Sequence, residues 1–312
     1  MIGIDVGGAN LKVVDDEGVH IYYCPLWDHA PITDLLLRQT RGAGKEAAVV
    51  MSGELADCFR DKNEGIAFIF DAVRAAFPRA QFYGTDAVFH ESPVPQLAAA
   101  NWLASADYLK EHYPDAVLVD IGSTTADIIP LCRFDALKGL TDLTRLQGRY
   151  LVYTGMLRTN VAALLRSVDL DGVKTPVSAE YFASSADVHL VLGHITPEQY
   201  TSDTPDKKEK IVEASLRRLA RVVCADLEEI GLCGAMQIAA AFWAEQRRQV
   251  LTSVATVASE SGASGIIIAG MGASLFAKEA GGLDLTEKLG DVAAALPAFA
   301  VQEIAIRDQV FR

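Results

Sequence analysis

Cysteine is scarce and unpatterned in this chain. The five residues, at positions 24, 58, 132, 224 and 233, form no CxxC pair and are odd in number, which argues against a disulfide framework or a zinc ribbon. Long apolar runs are missing as well. Hydrophobic residues make up 50% of the 312 positions but are spread out, and no uninterrupted stretch approaches a membrane span in length. The first residues, MIGIDVGG, enter a strand pattern with no charged-then-apolar leader ahead of them, so a cytoplasmic location is expected. No basic run or basic amphipathic stripe offsets a net charge of −13, which disfavours nonspecific binding to nucleic acid or to an anionic membrane. An anionic ligand must therefore be handled by particular residues at one place.

Such residues occur in a motif written twice. MIGIDVGGANLKVV at the amino terminus and AVLVDIGSTTADIIPL from Ala116 each run as an apolar strand to an aspartate, Asp5 or Asp120. Each then passes through small residues and resumes as a second strand. Glycine allows the close backbone approach that lets turn N–H groups meet an anion, and the aspartates are placed to hold a divalent cation that neutralises a phosphate. A third segment, GIIIAGMGASLFAKEAG from Gly265, reads as a strand, a double-glycine turn and a helix start.

These three segments, in this order, resemble the sugar kinase, Hsp70 and actin superfamily. The resemblance implies an α/β, two-lobed, actin-like (ribonuclease H-like) ATPase fold, with duplicated mixed-sheet halves around a cleft. Gly3, Asp5, Gly7, Gly8 and Lys12 match the first phosphate segment, Asp120, Gly122, Thr124, Thr125 and Asp127 the second, and Gly270 and Gly272 the adenosine-side motif. The implied phosphate-binding set is Gly7, Gly8, Asn10, Lys12, Gly122, Ser123, Thr124, Thr125, Arg158, Gly270 and Gly272, with Asp5 and Asp120 on Mg²⁺. The element pattern places one lobe at residues 1–114 and a second, with an α-rich insertion, at 115–312. PVPQLAAANWLASADYLKEHY reads as a proline-started helix crossing between them. DLDGVKTPVS reads as an insertion, and the apolar spacing from 211 to 227 predicts one half-buried helix from about Asp206 to Glu229. Pro297 is expected to kink or divide the last helix.

Within the superfamily, IGIDVGGANLK, MSGELADCF, DIGSTTADIIPL, YTGMLRT and SADVHLVLG resemble the hydantoinase A and oxoprolinase-like family, and within it the branch that acts in methanofuran and methylofuran biosynthesis. That resemblance implies a transferase using a furan diphosphate and a phenolic amine, and leaves homo-oligomerisation open. A phenol with an ordinary pKa of about 10 needs a base or an electrostatic shift to react near neutrality. Glu54, Asp187 and His189 are the candidates, each with a structural reading beside the catalytic one. Asp187 could cap a helix starting near His189, and the five-residue spacing of His189 and His194 does not suit an i, i+4 zinc pair. Two other functions stay open: an ATP-dependent small-molecule kinase or oxoprolinase-like hydrolase, and a non-catalytic ligand-binding regulatory protein.

Overall fold

Two sheets of matching order organise the chain, whose computed structural model describes residues 1–28, 30–39 and 46–311. The first sheet contains β1 (Ile2–Val6), β2 (Asn10–Asp15), β3 (Gly18–Tyr23), β4 (Ala47–Met51), β5 (Gln81–Tyr83) and β6 (Phe89–His90), in the order β3-β2-β1-β4-β5-β6. The second contains β7 (Ala116–Ile121), β8 (Ala126–Pro130), β9 (Leu151–Val152), β12 (Gly265–Ala269) and β13 (Leu283–Asp284), in the order β13-β12-β7-β8-β9. The remaining strands, β10 (Ser167–Leu170) and β11 (Val173–Pro176), pair with each other. In both large sheets an antiparallel meander is extended by parallel strands, β1 pairing with β4 and β7 with β12. This is the duplicated ribonuclease H-like arrangement of an actin-like fold. Every residue of β1 and β4 is buried, as expected where helices cover both faces of a sheet.

The principal helices are α1 (Ile32–Gln39), α2 (Lys62–Ala76), α3 (Asn101–Leu109), α4 (Asp142–Gln147), α5 (Ser185–Val191), α6 (Val212–Arg221), α7 (Leu227–Ser261), α8 (Ala273–Ala280) and α9 (Leu296–Arg307). A boundary near Pro114 separates the sheets but not the helices. α9 returns to the first lobe and packs on β1, β2, β4 and α3. A Cβ at Gly3 would sit 2.0 Å from the Ala298 carbonyl oxygen, so this contact requires a glycine. Residues 115–312 therefore do not all belong with the second sheet.

Several local expectations are corrected by backbone chemistry. The crossing helix starts at Asn101 rather than at the prolines, because Pro95–Leu97 is a 3-10 turn and Ala99 takes φ +48°. The Asp206–Glu229 segment divides: α6 ends at Arg221, Cys224 takes φ +60°, and Asp226 caps α7 by accepting from the Glu229 N–H. The DLDGVKTPVS segment is the β10–β11 hairpin, whose two-residue Asp171-Gly172 loop has positive φ at both positions. Pro297 lies in the first turn of α9 and so begins that helix. By length and mean hydropathy the stretch Thr286–Arg307 would suffice to cross a membrane, although charged residues interrupt its apolar run, as the sequence reading holds. Half of it is buried here, with α9 against the first sheet.

Candidate active site

The two motif copies form hairpins of the same length and register. Gly7 N donates to Asn10 O at 2.9 Å across the first turn, and Gly122 N donates to Thr125 O at 2.9 Å across the second. A Cβ at Gly7 would lie 2.9 Å from Asn10 O, so the first turn closes this tightly because residue 7 has no side chain. In the ladders, Asp5 pairs with Lys12 and Asp120 with Asp127. The loop after each parallel neighbour then folds back onto its hairpin. Ser52 N and Gly53 N both donate to Val6 O, while Gly272 N donates to Ile121 O. Gly270, at φ +83°, lies so close to Asp120 that a Cβ would be 2.4 Å from its Oδ1.

The YTGMLRT segment supports the second turn. Met156 N donates to Gly122 O, and Leu157 N and Arg158 N donate to Ser123 O. Gly155 presses against the turn, with a virtual Cβ 2.5 Å from Thr124 N. Thr124 Oγ1 lies 3.4 Å from Ser123 Oγ, so two hydroxyls share this tip. The Arg158 side chain leaves the turn sideways and lies over the Trp27 ring at 4.3 Å.

The carboxylates of the two hairpins share one electrostatic environment. Burial pushes Asp5 up to about 6, against the pull of Lys12 and with a further push from Asp127. Burial likewise raises Asp120 to about 7, with Lys12 opposing and Asp127 and Asp5 adding to the shift. Lys12 thus acts on both aspartates. Asp127 is also raised by burial, opposed chiefly by Arg145.

Arg145, which the sequence reading did not single out, is tied by ion pairs to the second hairpin. Its side chain, 3% exposed, forms ion pairs with Asp127 and with Asp142 and lies 4.3 Å over the Trp102 ring. Asp142 in turn acts on Glu54, a buried carboxyl raised to about 7 chiefly by burial. Glu54 therefore joins the same polar chain as Asp127 and the hairpin aspartates. Four buried polar atoms along it, Asp5 Oδ1, Glu54 Oε2, Arg145 Nε and Trp102 Nε1, have no hydrogen-bond partner among the described residues. Unpaired buried polar atoms are costly unless a ligand, ion or water meets them, so this grouping is the candidate site between the hairpins.

Asp187 and His189 are not brought to that cleft. Both are fully buried within the second lobe. Asp187 sits at the third position of α5 in a capping box with Ser184, and its carboxylate also accepts from Arg218, Ser215 and Tyr200. The capping reading is correct in kind, but the cap is Ser184 and the helix starts four residues before His189. His189 Nδ1 lies 2.9 Å from His194 Nδ1, and its Nε2 lies 2.9 Å from Gln246 Oε1. Burial first, and then His194, lowers its pKa to about 3, so its ring is neutral. Gln246 carries this contact on by donating to Thr154 Oγ1 and Gly155 O, so His189 braces the segment beneath the second turn.

The cleft suits the Mg²⁺ that the resemblance implies. Mg²⁺ takes hard oxygen donors and usually keeps several waters, using one or two carboxylates plus substrate phosphate. Asp5 and Asp120 supply such carboxylates, and Asp5 has an unpartnered buried oxygen. No group of three or more His, Cys, Asp or Glu residues among the described residues is close enough to cage an ion by itself.

A hydantoinase/oxoprolinase family model matches residues 45–302. The chain is 36% identical to the (4-{4-[2-(gamma-L-glutamylamino)ethyl]phenoxymethyl}furan-2-yl)methanamine synthase of Methanocaldococcus jannaschii, over 97% of each chain. It is also 36% identical to a synthase of the same name from Methanococcus vannielii, over 60% of this chain and 89% of that one. Among solved structures, a ROK family glucokinase from Streptomyces griseus, in complex with glucose and AMPPNP, aligns at 16% identity over 96% of this chain and 97% of its own, with a TM-score of 0.43. The family match across most of the length and the near-full-length relative together show that this chain belongs to the hydantoinase/oxoprolinase family.

Proposed function

We propose that this chain is an ether-forming alkyltransferase of methanofuran or methylofuran biosynthesis. It joins the methylene carbon of an aminomethylfuran methyl diphosphate to the phenol oxygen of a tyramine or tyrosine derivative, and pyrophosphate is released. The observation that carries this reading is the 36% identity, over 97% of each chain, to a synthase whose product name contains a furan-methyl group joined to a phenoxy oxygen.

Breaking a carbon–oxygen bond to diphosphate places negative charge on the departing oxygens, while the furan ring shares the positive charge left on the methylene. Stabilising the leaving group therefore dominates the barrier. The turn amides of the two hairpins are the donors to phosphate oxygens in this reading, and Lys12 adds a cation that acts on both Asp5 and Asp120. When bound, Mg²⁺ supplies charge neutralisation at the diphosphate, with Asp5 and Asp120 the residues that would hold it.

Glu54 is the general base. Its pKa of about 7 leaves it substantially ionised near neutrality, and it is more basic there than an ordinary carboxylate. The Glu54 carboxylate takes the phenolic proton as the phenol oxygen bonds to the methylene carbon. The bond from that carbon to diphosphate breaks, and its electron pair leaves on the diphosphate oxygen.

The test is incubation of the purified protein with the furan diphosphate, a tyramine-type acceptor and Mg²⁺, with ATP absent. Coupled product and pyrophosphate should appear in equal amounts. Strict dependence on ATP, with ADP or AMP as stoichiometric product, would overturn the reading in favour of a kinase or oxoprolinase-like activity.

A further inference from the structure

Behind the second turn, a line of polar side chains runs from the lobe interior to the half-buried His194. Gln246 of α7 donates through Nε2 to Thr154 Oγ1 and to Gly155 O, each at 2.9 Å. Its Oε1 lies 2.9 Å from His189 Nε2, and His189 Nδ1 lies 2.9 Å from His194 Nδ1. Gln246 and His189 are buried, whereas His194, just past the end of α5, is only partly so. Trp243, nearly one turn before Gln246 on α7, stands edge-on to His189 at 5.6 Å, to His194 at 5.1 Å and to Phe276 of α8 at 5.1 Å. That packing holds both imidazoles in place.

Donor and acceptor rules leave this line one arrangement. The Gly155 carbonyl can only accept, so the Gln246 amide turns its NH2 toward that carbonyl and its oxygen toward His189. The amide oxygen can only accept as well, so His189 Nε2 carries a proton. Burial keeps the His189 ring neutral, which leaves Nδ1 bare and makes it an acceptor. His194 Nδ1 must then carry a proton and donate it. At the other end both polar groups of the Gly155 backbone are held, because Thr159 Oγ1 accepts from the Gly155 N–H at 3.0 Å and lies 3.0 Å from Thr154 Oγ1. Gly155 is also the residue that presses on the second turn, where a Cβ would be 2.5 Å from Thr124 N.

We propose that His194, His189 and Gln246 are positioning residues for the second phosphate turn, joined in a one-way hydrogen-bond relay that starts at His194 Nδ1–H and ends on the Gly155 backbone. Buried polar side chains are costly unless each is paired, and a line that pairs all of them fixes the glycine backbone more narrowly than apolar packing of the same volume would. The relay thus sets where the amides of the second turn stand. Its effect on the furan diphosphate rests on the ether-forming reading above, whereas its effect on a bare polyphosphate does not.

The test begins with the unaltered, ¹⁵N-labelled full chain, whose 6 histidines are distinguished by long-range ¹H–¹⁵N NMR in mildly alkaline solution. His189 should show a bare Nδ1 and a protonated Nε2, and His194 a protonated Nδ1 and a bare Nε2. The opposite tautomer of either ring, or an imidazolium at His189, would overturn the relay. Calorimetry of inorganic pyrophosphate with Mg²⁺ then reads the turn without turnover. His194→Leu, which deletes the first donor, should weaken pyrophosphate about tenfold, the scale of one hydrogen bond, and should raise the KM for the furan diphosphate by the same factor with the acceptor KM unchanged. His194→Asn, whose side-chain N–H can stand where Nδ1–H does, should restore both. Equal losses in the two variants would show that His194 acts by packing and would overturn the relay, as would unaltered pyrophosphate binding by His194→Leu. Weakened pyrophosphate binding in His194→Leu, rescued by His194→Asn, in a protein that makes no ether would sustain the relay and sink the reaction assigned to the cleft.

Discussion

The two hairpins share a length, a register and a parallel neighbour, yet opposite the strand-end aspartate one carries Lys12 and the other Asp127. The scaffold has kept its duplication while the charges have diverged. In the first copy the partner is a cation that acts on both Asp5 and Asp120. In the second it is an anion pinned by Arg145 from α4, which in turn reaches Asp142 and so the field at Glu54. A symmetric backbone thus carries asymmetric charge, with a cation opposite the first aspartate and an anion opposite the second.

The comparison is sharpest at the residues that match. Asp5→Asn and Asp120→Asn should each lower kcat about 10²- to 10³-fold, on the order of 3–4 kcal/mol in the barrier. Melting temperatures should hold or rise, since burial disfavours the ionised form of each carboxylate. A large loss of fold stability with activity per folded molecule preserved would show that these aspartates are structural.

Breaking the divergent position should move stability instead. Asp127→Ala should lower the unfolding free energy by about 3 kcal/mol, because Arg145 is left buried with only Asp142 to pair it. Lys12→Met should leave the urea midpoint nearly unchanged and reduce turnover. Equal stability losses in the two variants would contradict the asymmetry.

Glu54 predicts a pH effect of comparable size. Its folded pKa of about 7 exceeds the reference value of 4.5, so the fold favours the protonated carboxyl. That stability is intact below about pH 4.5 and is lost as pH rises through about 7, a change of about 3 kcal/mol that Glu54→Gln should abolish. Activity should run the other way, rising through about pH 7 as Glu54 and Asp120 ionise, and Glu54→Gln should lower turnover at the plateau above that limb. Unchanged plateau turnover in Glu54→Gln would exclude Glu54 as the base.

The smallest effects come from the glycines around the turns. Gly155→Ala places a Cβ 2.5 Å from Thr124 N and should cost about 1–3 kcal/mol while disturbing the second turn. Gly8→Ala meets nothing nearer than Gly53 Cα at 3.9 Å, outside the positive-φ region, and should stay within about 0.5 kcal/mol in thermal or urea unfolding.

The strands and turns of both hairpins were legible because glycine placement and apolar runs are local signals. Arg145 was not, since α4 is a short capped helix whose sequence carries no sign that its guanidinium reaches Asp127, 18 residues away in the chain. Asp187 and His189 were misplaced for the same reason. Their partners Arg218 and Gln246 lie 31 and 57 residues away, and only the packing of α6 and α7 on α5 shows that both side chains are satisfied inside the lobe. The return of α9 to the first sheet is a tertiary choice, seen in its packing on β1, β2 and β4 and in the fit of Gly3 against Ala298.

The most direct measurement follows one oxygen atom. An acceptor with ¹⁸O in its phenol group, incubated with the furan diphosphate, Mg²⁺ and the purified protein, should yield an ether that retains all of the label and pyrophosphate that contains none. Label joined to phosphorus, as a phenyl phosphate or diphosphate, would show that the phenol attacks phosphorus rather than the furan-methyl carbon and would contradict alkyl transfer.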